Sequence, residues 1–558
     1  MVNNISRKTW VTTSVLAIVA AIVFIVIQLI SGLSYDTDTT QRPISKEAAI
    51  EKATQFVIEQ TGLSVTEAEA YHSSNKDYTG YLAKYKLNEE HKQKFEKYLP
   101  VDQYMINVLF DGNNRGSVYL NLYTGEIIGW NFKLRGTQVE QATAYEALNN
   151  LLAERNFPLG DKTHIDTYEQ IENFDIFGTE RVTTTGYYVS NDDLTIKDAV
   201  FQFDSSVIVY GDNVIVSKLM PDFILPSDYV ELVEKQDMYA NIWTYGVYMA
   251  ITFVLGILAI IYAVLYRRHT SFKFGIWLTV IATIISAIIN LGMMKSQLGL
   301  QGDMLSGSDL FTKAFFIAII IVTIIAGTVS YYFSFVAGDG LWRAQGFQLW
   351  PRFRDAHYGK HVWDSMKIGY LMAIIGLGVQ NVIFLILTVT LGTWSANDTS
   401  QSLLNFEFSW LYPAIAWFAA ITEEAVFRFF GVGIFRRWFK NTWIAALIPT
   451  IAWAAGHTLY PLYPASTRVI ELLIIGYLFT WVMIRFGLIA AMFMHASFNT
   501  ILIGISMIIS GTTGDVVSAC IFLVLPFIIA FVIKWLHDRK KNTGDANGPQ
   551  YPPVMPQQ

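Results

Sequence analysis

The sequence predicts a polytopic α-helical membrane protein of about ten transmembrane helices, with an α+β extracytoplasmic domain set between helices 1 and 2. Three observations lead there. Hydrophobic residues make up 53 % of the 558, and mean hydropathy is positive at +0.35. Apolar runs of about 20 residues, enough to cross a bilayer as a helix, recur along the chain. Charge is divided: residues 33–239 hold 33 of the 46 acidic and 18 of the 40 basic residues, a net of −15, whereas the remainder is net +9. Two parts of opposite sign imply two surroundings. The single cysteine, Cys520, lies in an apolar run, so no intrachain disulfide can form and no cysteine-rich metal site exists.

The first apolar run, 10–30, follows Arg7 and Lys8. It is longer than a signal-peptide core and no small-x-small site follows, so residues 1–32 read as an uncleaved membrane anchor. Residues 33–239 read as the α+β domain. A helix is expected over 44–61, with Ser45 and Glu47 at its start. Residues 104–110, Asp111-Gly112 and 117–123 form a strand–turn–strand pattern. The turn Thr124-Gly125-Glu126 leads into Ile127-Ile128-Gly129-Trp130. A similar order recurs, with a helix near 141–155 and strands near 183–189, 199–210 and 213–219. This helix, strand, turn and TGEIIGW order resembles PepSY-type extracellular domains, beside the alternative of a generic α+β fold.

From residue 240 the chain turns apolar, with nine further expected spans: 241–266, 274–294, 313–336, 367–392, 409–434, 442–460, 467–484, 487–510 and 514–535. Residues 240–366 carry helices 2–4 and a loop, 338–366, whose Trp342, Phe347, Trp350 and Phe353 among arginines suggest an interfacial helix. Residues 367–536 form the core, and 537–558 a disordered tail rich in proline. With the N-terminus in the cytoplasm and alternating sides, inner segments hold 18 basic residues and short outer loops three, Lys295, Lys313 and Arg468. This asymmetry satisfies the positive-inside rule. It predicts a multi-pass cell-membrane protein with both termini cytoplasmic and residues 33–239 outside.

One apolar run, 411–435, contains Glu423, Glu424 and Arg428. A charge near the bilayer centre costs about 2.5–3.5 kcal/mol or more, so such residues are rare and usually functional. Glu424 and Arg428, four apart, share a helix face and can neutralise each other, leaving Glu423 to act on something else. Among the nine histidines only His457 and His495 lie in apolar segments. Measured from the nearest inner-flank basic residues at about 1.5 Å per residue, Glu423, His457 and His495 fall within about 5 Å of one level. Trp453 shares a face with His457, and Asn499 with His495. A carboxylate and an imidazole sharing a water can make it a nucleophile, and a histidine and an amide can donate to an oxyanion. No serine or cysteine nucleophile is placed with them, which points to water attacking a peptide bond. Glutamate with two histidines is also a divalent-metal ligand set, although neither histidine belongs to an H-E-x-x-H pair. No cofactor is expected.

Glu423-Glu424-x-x-x-Arg428, Trp453-x-x-x-His457 and His495-x-x-x-Asn499 resemble the three motifs of the CAAX-protease and bacteriocin-processing (CPBP, Abi) family, intramembrane endopeptidases of the type II CAAX prenyl protease kind. The resemblance covers roughly 360–535. Tryptophan at 453 departs from the commoner phenylalanine. The resemblance implies that Glu423 and His457 activate water, that His495 and Asn499 stabilise the oxyanion, and that Glu424 and Arg428 support the site or the substrate. It implies a glutamate-dependent mechanism over a metal-dependent one. The expected partners are a membrane-associated protein or peptide substrate, the lipid bilayer, and a ligand or partner of the extracytoplasmic domain; nucleic acid is not among them. The competing class is a non-catalytic membrane scaffold or immunity protein, or a proton-coupled carrier. No internal duplication of the inverted-repeat kind is evident in 240–535 to support a carrier.

Overall fold

The computed structural model describes residues 5–34, 42–111, 114–173, 181–300 and 310–542. It consists of a helical bundle and an antiparallel sheet domain inserted after the first helix, α1 (Arg7–Ser34).

The sheet domain is built twice over on one plan. Its first half runs α2 (Lys46–Thr61), β1 (Val65–Ser73), α3 (Lys76–Tyr85), α4 (Asn88–Lys94), β2 (Gln103–Phe110), β3 (Asn114–Asn121) and β4 (Ile127–Lys133). The short β5 (Thr137–Gln138) intervenes. The second half runs α5 (Gln141–Glu154), β6 (Thr163–Asn173), β7 (Arg181–Ile196), β8 (Ala199–Tyr210) and β9 (Asn213–Ile224). Each half is thus a leading helix and four antiparallel strands, the recurrence expected from the sequence, with α3 and α4 inserted between β1 and β2 in the first half only. The halves join where β4 pairs with β9, Trp130 opposite Leu219. Ser45 caps α2 by accepting from the Ala48 amide, 3.2 Å. The TGEIIGW stretch has a physical reason. Gly125 takes φ +68° to close the turn, and fully buried Trp130 donates its indole N–H to the Val216 carbonyl, 2.7 Å. Arg155 binds the Ile127 and Ile128 carbonyls at 3.1 and 3.0 Å and sits 5.0 Å from the Trp130 ring centre. Burial pulls its guanidinium down to about 10. The core beneath is strongly aromatic, with Phe132, Phe201, Phe203 and Tyr187 all buried.

Among the described residues eight helices are long and apolar enough to cross a membrane, which makes this a multi-pass helical membrane protein. After α1, the next begins as α6 (Ser227–Asn241), passes through a π-helical stretch, Ile242–Met249, and continues as α7 (Ala250–Leu265). Together these 39 residues reach about 58 Å, nearly twice a bilayer core of about 30 Å. The surplus stands in the sheet domain, where Tyr229 and Val233 join its core, while Leu255, Ala259 and Ala263 join the bundle's. One rod therefore belongs to both regions. The others are α8 (Ile276–Gly299), α9 (Leu310–Ala344), α10 (Tyr358–Leu391), α14 (Ser466–Phe486), α15 (Leu488–Ser510) and α16 (Thr513–Asn542). Between them lie α11 (Ala414–Glu423), a second π-helical stretch, Glu424–Val432, α12 (Gly433–Phe439) and α13 (Thr442–Ala455).

Several expectations change. The eight long helices leave the expected spans 409–434 and 442–460 apart: the first carries charges, and α13, 14 residues or about 21 Å, falls short of a bilayer core. No interfacial helix forms over 338–366. α9 continues to Ala344 and α10 starts at Tyr358; Trp342 is buried with its indole donating to the Phe429 carbonyl, 2.7 Å, and Trp350 is buried against Phe274, Phe335 and Phe429. The tail begins later than 537, since α16 runs to Asn542; residues 543–558 lie outside those described.

The sheet domain is bolted to one end of the bundle. Asn405, after α10, accepts from the His72 amide and donates to the His72 carbonyl, both at 2.8 Å. The His72 ring bridges Ser402, 2.8 Å, and Asp102, 3.1 Å. Asn107 donates to the Gly299 carbonyl, 2.9 Å. A Cβ on Gly299 would lie 2.1 Å from the Tyr71 ring, so only glycine permits this approach.

Candidate active site

Three segments far apart in sequence supply the polar groups in the bundle's interior. Glu423 ends α11, and Glu424 and Arg428 sit in the π-helical stretch that follows. π-bulges occur frequently at functional sites, because the extra residue in a turn re-aims side chains. Trp453 lies in the last turn of α13 and His457 in the turn just beyond it. His495 and Asn499 lie on α15, one turn apart.

Six of the seven converge. Trp453 donates its indole N–H to Glu423 Oε2. His457 Nδ1 donates to the Trp453 carbonyl, 2.8 Å. Since a carbonyl only accepts, the proton of neutral His457 sits on Nδ1 and Nε2 carries the lone pair. Glu423 and His457 are thus held by opposite ends of one tryptophan, with no direct bond between them among the described residues. His495 Nδ1 donates to Glu424 Oε1, 2.8 Å, and its Nε2 faces Glu423 Oε2 at 3.8 Å. The two adjacent carboxylates therefore hold the two sides of one imidazole. Asn499 is half-buried one turn along from His495, and no hydrogen bond of this network reaches it among the described residues.

Burial separates the two glutamates. Glu424 is 0 % exposed and Arg428 1 %, whereas the Glu423 side chain keeps 23 %. A buried charge needs a counter-charge. Arg428 Nη1 lies 3.3 Å from Glu424 Oε1, and its guanidinium stacks 3.8 Å over the Trp453 ring and 5.3 Å from Phe479. A desolvated cation–π contact of this kind contributes about 2 kcal/mol. The expected Glu424–Arg428 pair is present, and Glu424 serves a second partner, His495, that helix spacing alone could not reveal.

The sequence reading missed three contributors. Phe479 stacks on the His495 ring, centroids 4.7 Å apart and planes 16° from parallel, which fixes its orientation. Gly476 lets α14 approach: a Cβ there would lie 2.4 Å from Thr450 Cγ2 and 3.2 Å from Arg428 Nη2. Tyr460 lies parallel to His457, 6.1 Å away, and beneath Arg468. No pattern of polar residues marks an apolar ring or a glycine, so only packing discloses them. The departure from phenylalanine at Trp453 has a consequence in the site: its indole N–H is what holds Glu423, and phenylalanine could not.

Glu471 and Arg468 form a second ion pair on α14. Glu471 is 0 % exposed and accepts from Arg468, 2.7 Å, and from Gln380, 2.8 Å. Among the described residues no three histidine, cysteine, aspartate or glutamate side chains form a group able to hold a metal ion.

No curated protein and no solved structure matches the chain. Residues 405–501 match the family model of Rce1-like, type II CAAX prenyl endopeptidases, a narrower stretch than the expected 360–535. The matched segment contains all seven site residues, and over it the chain is similar to Rce1-like type II CAAX prenyl endopeptidases.

Proposed function

We propose that the protein is an intramembrane endopeptidase that hydrolyses a peptide bond of a membrane-associated protein or peptide with water activated by Glu423 and His457. The observation that carries this reading is the single tryptophan holding both groups: Trp453 binds Glu423 through its indole and His457 through its carbonyl. The Glu423 side chain is 23 % exposed, and His457 and Asn499 are partly exposed as well, beside the sealed Glu424 and Arg428. A carboxylate so placed can take a proton from water, while the lone pair on His457 Nε2 accepts a hydrogen bond from the same water. As the carbonyl is attacked, negative charge grows on its oxygen and needs donors already in position. His495 and Asn499 fill that role in this reading. For His495 to donate from Nε2 while Nδ1–H is given to Glu424 it must be the imidazolium, and Glu424 is the anion beside it. Arg428 then pairs with Glu424 and holds it in place.

The mechanism routes no step through a metal. The family resemblance gives the reaction class, and the substrate is read only as membrane-associated. The charge asymmetry of the loops supports an orientation with both termini in the cytoplasm and the sheet domain on the opposite side.

The test uses full-length protein in proteoliposomes with single-span reporter polypeptides. Glu423→Gln keeps the shape and removes the base, so cleavage should fall about 10²–10⁴-fold, the usual worth of a general base, with an unchanged melting profile. Retained cleavage in that variant rejects the assignment.

A further inference from the structure

A cleft of about 1110 Å³ opens between the sheet domain and the end of the bundle that carries it. Small-molecule pockets run to about 300–1000 Å³, so this space suits a polypeptide segment. Its walls cannot drift apart, because the bonds of His72 with Asn405 and Ser402 fasten them directly.

The two walls differ in chemistry. The bundle contributes Tyr412, Ile503, Met507 and Ile509, an apolar floor at the ends of membrane helices. The upper wall and rim carry four carboxylates, Glu89, Glu96, Asp102 and Asp398, against two lysines, Lys86 and Lys92. His91 adds a buried polar group on the same wall. It is 1 % exposed, its Nδ1 is taken by the Tyr78 hydroxyl at 2.6 Å, and its Nε2 has no hydrogen-bond partner, with Glu96 Oε2 3.4 Å off. Apolar below and acidic above is the complement of a chain leaving a membrane with basic residues at its edge.

The floor also leads to the site. At 100° per residue, Ser506 and Ile509, which line the cleft, lie within about 40° of His495 around α15, and Asn499 lies between them along the axis. Ser506 is eleven residues from His495, about 16 Å. One helix face thus connects cleft and catalytic residues.

We propose that this cleft docks the juxtamembrane stretch of a membrane-anchored polypeptide, basic in that stretch, whose chain then follows the α15 face to His495. This rests on the proteolytic reading and gives its substrate class. The sheet domain becomes the element that selects substrate.

The test reads binding separately from cleavage. Full-length Cys520→Ser protein with Gln401→Cys at the exposed rim carries an environment-sensitive fluorophore and is placed in nanodiscs. Three synthetic single-span polypeptides are titrated, identical except for a lysine-rich, a glutamate-rich or no juxtamembrane extension. The lysine-rich probe should half-saturate the signal at a concentration at least tenfold below the other two. Glu89→Lys with Asp398→Asn, the latter keeping its capping oxygen, should erase that advantage. Equal titrations of all three probes, or an advantage that survives the charge changes, overturn the proposal. Cleavage by the unlabelled protein is scored alongside: selective binding without Glu423-dependent cleavage sinks the proteolytic reading and leaves the docking result standing, and the reverse outcome sinks docking alone.

Discussion

The sheet domain and the bundle solve burial in opposite ways. In the sheet domain aromatic rings fill the centre, and ion pairs such as Glu231–Lys235 and Lys162–Asp193 stay in water with most of their surface exposed. In the bundle the apolar side chains face outward, with Phe253, Trp277 and Val389 each at least 70 % exposed, while Glu424, Arg428 and Glu471 are sealed inside. Lipid is as apolar as leucine, so a bundle gains little by hiding hydrophobic surface and relies on packing and polar contacts between helices. What the comparison teaches is where a charge matters. On the sheet domain's surface a carboxylate has water as an alternative partner; inside the bundle its only alternatives are the groups already bound to it.

The strongest way to break this contrast is Glu424→Ala. It strands Arg428 and His495 in a dry interior, and removing one partner of a buried pair costs about 3–5 kcal/mol. Thermal unfolding in detergent should register it, Glu424→Gln should lose less because an acceptor remains, and Glu231→Ala on the sheet domain should leave the melting curve unmoved. A curve for Glu424→Ala overlying the parent would mean the cluster is not a charge network.

Next in size is the seam between the regions. Asn405→Ala leaves the part-buried amide and carbonyl of His72 without these partners, at about 1–3 kcal/mol at most. Hydrogen exchange should accelerate at least tenfold at the His72 amide while the amides of β8 keep their protection. Uniform acceleration would say that the two regions unfold as one.

The smallest effect sharpens the sheet domain's side. Burial lifts the Asp222 carboxyl above its usual range, with Asp204 adding to the rise. The folded domain therefore binds that proton more tightly than the unfolded chain does, and its stability falls as pH rises through the raised value. Asp222→Asn should raise the melting temperature at pH 7 by no more than about 2–4 °C, the shift that 1 kcal/mol gives a domain of this size, and the gain should close on acidification to pH 4.

Both regions were legible in the sequence where pattern is local. Apolar runs located the long helices, turn residues and alternation located the strands, and the spacing of Glu423, His457 and His495 located a common depth. What pattern could not carry is contact between distant segments. The second partner of Glu424, the indole bond to Glu423, the stacking of Phe479 and the fit of Gly299 under Tyr71 all depend on which faces meet. The loop at 338–366 failed for a related reason: tryptophans among arginines suit a membrane surface, yet Trp342 found a carbonyl on Phe429 and went inside. The α13 helix fell short because Gly456 and the turn through His457 end it early, which is also what frees His457 from the helix to face the site.

The Asn405 amide offers the outer edge of β1 the N–H and C=O that a neighbouring strand would bring. A long sheet standing off a crowded membrane is a template for unwanted strand pairing unless its margins are closed. One margin here is closed by the protein's own membrane portion, so a copy that loses its seat on the bundle also uncovers its stickiest border. Correct seating and protection from aggregation are thereby one and the same event, leaving the β6 side as the margin on which other defences against self-association have to act.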